Sequence, residues 1–307
     1  MVVIQTTAGT WPQHSGTLLR QYRETLHNIR RTLAHRRLTE VFELARCVPF
    51  DNSSRIVFFS DCHRGDNGRA DGFARNEELF LHALTHYYRQ RFIYIEVGDG
   101  DELWKNRRFS AVRRAHGRVF DLLHEFDRRS RLHLIVGNHD IQGGRRDRVE
   151  KEGMVAHEGL VLRHARTGQR IFVVHGHQAD FKSDRLYFIG RPLVRHVWRR
   201  LQVFAVGSPP SQPHDSRNRL GIRERIVEWS QANRLTVVCG HTHRPTFARH
   251  GGPPYFNTGS CLYPGYITGV EIQHGEIALV RWSAGRRGGE RIRRELMAPA
   301  RKLGEWT

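Results

Sequence analysis

Five apolar runs of strand length, each closed by a short polar motif, constrain this chain more than any other feature. Ile56 to Phe59 precedes Asp61-Cys62-His63, Phe92 to Val97 precedes Gly98-Asp99, and Leu132 to Val136 precedes Gly137-Asn138-His139-Asp140. Ile171 to Val174 precedes His175-Gly176-His177, and Leu235 to Cys239 precedes Gly240-His241-Thr242-His243. Short apolar runs punctuated by Gly read as buried strands, and open α/β sheets place their ligands at the ends of such strands. Five strand ends are therefore expected to converge on one site.

Between these runs the period changes. Asn76 to Tyr88, with Leu79, Phe80, Ala83, Leu84 and Tyr87, and Ser110 to Phe126, with Val112, Val119, Leu122 and Leu123, carry helical spacing. Strand, helix, strand, helix, strand at this spacing argues for a parallel sheet with crossover helices. The later segments Leu160 to Arg163, Ile171 to Val174, Leu235 to Cys239, Tyr255 to Asn257, Thr268 to Ile272 and Ile277 to Trp282 are short and close together, which suggests a second sheet packed on the first. Upstream, Thr17 to Ala45 reads as a helix or helix pair laid against the core, with its arginines on a solvated face rather than forming a nucleic-acid arm. The Gly- and Arg-rich stretch after Trp282 reads as a surface segment or loosely held terminus. Asp180 to Asn233 lies between two of the motifs without a ligand pattern of its own. It suits either a lid over the site or an ordinary packing helix followed by the loop at Pro209, Pro210 and Pro213.

The 307 residues suffice for one large domain or two small ones. A formal net charge of +19 suits nucleic acid, an anionic membrane surface or a phosphorylated substrate. Of the 50 basic residues, however, only Lys105, Lys151, Lys182 and Lys302 are lysines. Such a bias reflects GC-rich coding as much as function, so the charge does not favour a nucleic-acid partner. Cys47, Cys62, Cys239 and Cys261 show no Cys-x-x-Cys pairing, and no long apolar span or leader is evident. A reduced, cytoplasmic setting is expected.

Carboxylate, amide and imidazole donors together suit Mn, Fe or Zn rather than Ca or Mg alone, and no thiolate set provides a structural zinc site. Cys62 falls where alternation turns it away from the ligand face, as a packing residue. The ordered set Asp-x-His, Gly-Asp-x-x-Glu, Gly-Asn-His-Asp, His and Gly-His-x-His, spread over about residues 55 to 282, resembles the calcineurin-like metallophosphoesterase superfamily. The resemblance implies an α/β fold in which two mixed β-sheets pack as a sandwich with helices on the outer faces, a four-layer αββα arrangement. It divides the chain into a helical extension (1–50), a catalytic domain (51–285) with the insertion at about 180–233, and a tail (286–307). It also implies two divalent metal ions, Mn foremost, with Fe or Zn as alternatives. The first would take Asp61, His63 and His243, the second Asn138, His175 and His241, and Asp99 would bridge them. His139 would stand beside the substrate as acid or charge stabiliser, oriented by Glu102.

The chemistry is sound independently of the resemblance. Two ions about 3.5 to 4 Å apart can hold a bridging hydroxide and clamp the oxygens of a phosphoryl centre, and a carboxylate between two dications offsets their repulsion. Arg64, Arg69 and Arg244 flank the motifs, where a guanidinium suits a phosphate oxyanion, although a solvated role is the commoner one on so arginine-rich a chain. His177 is left outside the ligand set, Asp101 is read as a turn residue, and Asn257-Thr258-Gly259-Ser260 as support from the second sheet. Within the superfamily, Gly98 to Trp104, Gly240 to Pro245 and the insertion look most like the branch of UDP-2,3-diacylglucosamine diphosphatases, although that branch has arginine where this chain has His139. The expected substrate is a phosphorylated small molecule or an amphiphilic nucleotide-linked one, met at the periphery of an anionic membrane. The competing readings are a nuclease, a serine/threonine-type protein phosphatase and a non-catalytic basic scaffold. The nuclease is disfavoured because no stacking aromatics interleave with the arginines.

Overall fold

The computed structural model describes residues 14–106, 108–141, 149–180, 216–285 and 291–306. In chain order the main elements among them are α1 (His14–Leu44), β1 (Arg46–Phe50), β2 (Ile56–Phe59), α2 (Glu77–Arg89), β3 (Ile93–Val97), α3 (Phe109–Ala115), α4 (Gly117–Asp127) and β4 (Leu132–Ile135). They continue with β5 (Val149–Lys151), β6 (Met154–His157), β7 (Gly159–His164), β8 (Arg170–Val174), α5 (Ser216–Ala232), β9 (Thr236–Cys239) and β10 (Tyr255–Asn257). The last four are β11 (Tyr266–Gln273), β12 (Glu276–Ser283), β13 (Arg293–Leu296) and β14 (Arg301–Lys302).

Successive residues of a strand face opposite ways, and that alternation builds the layers. Ile56 and Phe58 of β2 and Ile95 and Val97 of β3 meet Leu160 and Leu162 of β7 and Ile171 and Val173 of β8 in one buried cluster between two sheets. Val57, Phe59, Tyr94 and Leu134 turn the other way, beneath Leu84, Tyr87, Phe120 and Phe126 of α2 and α4. On the far side Val161, Phe172, Val174 and Val237 pack against Leu38 and Val41 of α1 and Ile226 and Trp229 of α5. The result is the expected two-sheet sandwich with helices on both outer faces. No helix of the described residues is long and apolar enough to cross a membrane.

The nine-stranded sheet runs β13-β12-β11-β2-β3-β4-β6-β5 with β14 beside β12, and the five-stranded sheet runs β1-β7-β8-β9-β10. β2, β3 and β4 are parallel, as are β8, β9 and β10. Several details depart from the sequence reading. β11 and β12 join the first sheet, because β11 pairs antiparallel with β2 in a register that sets Val270 opposite Phe58. The single helix expected from Ser110 to Phe126 breaks at His116, whose backbone leaves the helical region; its buried ring reaches Asp71 and Glu77 instead, and Gly117 follows, a poor helix former.

Residues 46–50 form an edge strand paired with β7, a position where Pro49 removes no ladder bond from a second neighbour. The terminal segment is tied down by pairing of β13 and β14 with β12 and by Arg294 on the buried Glu271. Of the expected insertion, residues 181–215 lie outside the described residues, and with them the lid reading; residues 216–232 form α5, a packing helix against α1.

Candidate metal centre

All five expected strand ends open on the same side of the sandwich. β2, β3 and β4 deliver Asp61, Asp99 and Asn138 from one sheet, while β8 and β9 deliver His175 and His241 from the other. Asp61, His63, Asp99, Asn138, His175 and His241 are buried, and His243 is half-buried. Asp61, His63, Asp99, His241 and His243 have φ between 49° and 65°, the left-handed region that costs non-glycine residues about 1 to 3 kcal/mol each. Such strain persists only where the surroundings over-determine it, and here the loops hold one another. Asp61 N–H donates to Gly98 O (3.0 Å), His63 N–H to Asp99 O (2.9 Å) and Gly240 N–H to His175 O (2.9 Å). His139 N–H donates to Asp99 Oδ1 (2.8 Å), and His241 N–H to Asp61 Oδ2 (3.0 Å). Gly98 has no alternative, since its φ is +82° and a Cβ there would strike the His175 ring.

The expected ligands fall into two groups, and His63, Glu102 and His139 form a third set of converging donor atoms among the described residues. In the first, Asp61 Oδ1 lies 3.0 Å from His243 Nε2, and His63 Nε2 lies 3.3 Å from His243 Nε2. In the second, Asp99, His175 and His241 bring donor atoms together, with Asp99 Oδ2 3.1 Å from His175 Nε2. Two donors about 2.1 Å from one ion and at right angles stand about 3 Å apart, so these separations fit a shared cation. Asn138 Oδ1 is buried without a hydrogen bond from any described residue. A buried amide oxygen in that state is satisfied by an ordered water or an ion, and a divalent ion also suits the neighbouring donors. The residues present therefore fit a metal centre of mixed oxygen and nitrogen donors.

Electrostatics agree. Burial alone would raise the Asp99 carboxyl, but the His175 and His139 imidazoles hold it well below the usual carboxylate range. Burial opposes the charge on His63 too, yet hydrogen bonding to Asp61 and Glu102 and the charge on Asp99 push it up to about 10. His175 is likewise penalised by burial and raised by Asp99 to about 9. His243 goes down, because burial outweighs the pull of Asp61. Protons and metal ions compete for these nitrogens.

Beside the ligand groups, His139 Nδ1 lies 2.8 Å from Glu102 Oε1. Burial would raise Glu102, but His139 and Lys105 hold it well below the usual range, so the ionised carboxylate accepts and the imidazole Nδ1–H donates. The expected dyad is thus assembled. The support expected from Asn257 to Ser260 is also present: Asn257 Nδ2 donates to Gly240 O (2.6 Å) and Ser260 Oγ to Asp61 O (3.1 Å).

Other candidates stand elsewhere. Arg64 is 0% exposed and its guanidinium is held by Glu96 (2.7 and 2.8 Å) and Asp101 (2.7 Å). It cannot reach a substrate phosphate, and the expectation that it would is corrected. Asp101 belongs to the same buried network, where Lys151 Nζ lies 2.6 Å from Asp101 Oδ2 and 2.9 Å from Asp140 Oδ1. Asp140 in turn accepts from the N–H groups of Gly137 (2.9 Å) and Asp101 (2.9 Å). Arg244 is exposed beside His243, and Arg69 is exposed on the loop after the first motif. His177 is buried with its ring centroid 5.5 Å from that of His175, outside the ligand groups among the described residues. Sequence reasoning missed three residues: Lys151, Trp104, whose indole stacks on His139 at 4.2 Å, and Asp180, whose Oδ2 lies 3.3 Å from His241 Nε2. Asp180 follows His175 by five positions, and nothing in that spacing signals contact with the fifth motif.

Residues 54–245 match the family model described as calcineurin-like phosphoesterase. No curated protein matches the chain significantly. Solved structures similar to it include a predicted phosphoesterase from Streptococcus pneumoniae TIGR4, at 13% identity and TM-score 0.33 over 79% of this chain and 97% of that one. Vacuolar Protein Sorting 29 from Cryptosporidium parvum matches at 13% identity and TM-score 0.39, over 81% and 100% of the two chains. Vps29 from Chaetomium thermophilum matches at 11% identity and TM-score 0.41, over 82% and 99%.

Proposed function

The chain belongs to the calcineurin-like phosphoesterase family, and we propose that it hydrolyses a phosphoester or phosphoanhydride bond with two divalent ions. Asp61, His63 and His243 would hold one, Asn138, His175 and His241 the other, with Asp99 between them. One observation carries the dinuclear reading: Asp99 Oδ2 lies 3.1 Å from His175 Nε2 and 3.6 Å from His63 Nε2, so a single oxygen is within reach of both donor groups. When bound, such ions supply an activated water and neutralise charge at the phosphoryl centre.

The protein's own residues do the rest. Glu102 fixes the Nδ1–H of His139 and leaves Nε2 as the atom that can pass a proton to, or stabilise charge on, the leaving oxygen. The cross-bonded loops keep the donors preorganised, so little rearrangement is needed at the moment of reaction. Exposed Arg244, next to His243 in the chain, would be the basic side chain to meet substrate phosphate.

For the substrate we favour a phosphorylated small molecule. Within that class, the motifs Gly98 to Trp104 and Gly240 to Pro245 support an amphiphilic nucleotide-linked diphosphate, and manganese is the metal of first choice for the mixed donor set. The test is hydrolysis by manganese-loaded protein of a phosphomonoester, a phosphodiester and a nucleotide-diphosphate lipid side by side, with Asp99→Asn as the blank. Preference for the diphosphate supports this substrate. Preference for the monoester would keep the phosphorylated small molecule and overturn the nucleotide-linked diphosphate; rates no greater than the blank throughout would contradict both.

A further inference from the structure

We propose that Trp104 is a positioning residue for His139, acting on the reaction only through that imidazole; the proposal rests on the reading of His139 as acid or charge stabiliser. Three consecutive residues grip His139 in three different ways. Glu102 Oε1 holds the ring edge at Nδ1 (2.8 Å), and Leu103 N–H donates to the His139 carbonyl (3.1 Å). Trp104 lies flat on the ring face, with centroids 4.2 Å apart and planes 20° apart.

The face contact adds something that the edge contact cannot. A single hydrogen bond at Nδ1 fixes one atom, and the ring remains able to swing about that bond, carrying Nε2 with it. An indole on one face removes that freedom, and the His63 ring adds an edge-to-face contact, with centroids 4.6 Å and planes 83° apart. Trp104 is itself anchored, because its Nε1–H donates to the carbonyl of Asn138 (2.7 Å). The same residue thus fixes the backbone immediately before His139 and the plane of the His139 ring. An aliphatic side chain would fill the space but offer neither the flat face nor the donor. Nothing requires the indole, which is 7% exposed, to touch substrate. Its effect is on where Nε2 points, and misplacement of a reacting group by about 1 Å can cost about 100-fold.

The test is a double-mutant cycle on the manganese-loaded protein with Trp104→Leu, His139→Ala and both together, plus Trp104→Phe to keep the ring face. Rates are taken on 4-nitrophenyl phosphate and bis(4-nitrophenyl) phosphate and on the corresponding phenyl esters, whose leaving groups are poorer. Trp104→Leu is expected to lower kcat about tenfold or more, most on the phenyl esters, with KM and metal content near wild type, and Trp104→Phe to lower it less. In the His139→Ala background Trp104→Leu is expected to cost less than about twofold. Equal loss in both backgrounds, or loss of metal, would overturn the proposal. If His139→Ala alone leaves turnover intact, the reading of His139 falls and the positioning role falls with it, a result distinct from equal losses.

A second readout does not depend on turnover. In histidine-labelled protein the His139 Nδ1–H bonded to Glu102 is expected as a protected downfield proton resonance in the wild type and Trp104→Phe, and as an exchange-broadened one in Trp104→Leu. An unchanged resonance in folded Trp104→Leu would refute the positioning role.

Discussion

Oδ2 of Asp180 lies 3.3 Å from Nε2 of His241, which places a buried carboxylate behind an imidazole whose own backbone N–H is bonded to Asp61. A carboxylate in that position fixes the tautomer and raises the basicity of the ligand, and removing such a partner typically costs 10- to 100-fold in metal affinity. Asp180→Asn is therefore expected to weaken divalent metal binding by about that factor while the fold persists, as titration of metal-free protein would show. Unchanged affinity would mean that the contact is incidental.

Lys151 supplies the cation for a buried cluster. It is 3% exposed and faces both Asp101 and Asp140, whose carboxylates brace the second and third ligand loops. Breaking a buried pair by removing one partner costs about 3 to 5 kcal/mol, because an uncompensated charge is left behind. Lys151→Met is expected to lose stability of that order in urea unfolding. A loss below about 1 kcal/mol would show that the remaining Arg64 suffices.

The metal-free site should respond to pH in a set direction. His63 and His175 are held protonated up to about 10 and about 9, above their ordinary 6.5. The stability they contribute is fully present below 6.5 and is lost as pH rises through that window. Asp99 and Glu102 are held below their ordinary values, so their contribution is present above about 4 and is lost on acidification. A metal ion replaces the imidazole protons. The rise in Tm caused by manganese, measured against metal-free protein, is thus expected to grow between about pH 6 and 9. A flat or falling difference would contradict the assignment of His63 and His175 as ligands.

His139 and the ligands should separate cleanly. General acid catalysis contributes typically 10²- to 10⁴-fold, so His139→Ala is expected to lower kcat by about that range with metal content unchanged from the wild type. Loss of metal in this variant would make His139 a ligand.

The parts of this architecture that were legible in the sequence are those carried by local pattern. Ile56 to Phe59 is β2 to the residue, and the other four motif-bearing runs are strands within a residue or so of their expected ends, because buried strands leave uninterrupted apolar stretches. β13 was illegible for the opposite reason: Arg293 to Leu296 is a mostly exposed edge strand held by backbone pairing with β12, which leaves no apolar alternation to read. The candidate donors were legible because their motifs carry recognisable chemistry, and the structure brings Asp61, His63 and His243, and Asp99, His175 and His241, together, whereas the supporting residues were not legible. Arg64 resembles every other arginine of this chain until Glu96 and Asp101 are seen to enclose it. Asp180 and Lys151 likewise gain their roles only when distant segments meet.

The most direct test of the account is the metal content and turnover of Asp99→Asn measured on the same preparation as the wild type. If Asp99 joins two ions, the manganese-loaded wild type should carry two per chain, and the folded variant should lose metal and turnover together. A variant that keeps two ions, or that hydrolyses at the wild-type rate, would contradict the dinuclear centre.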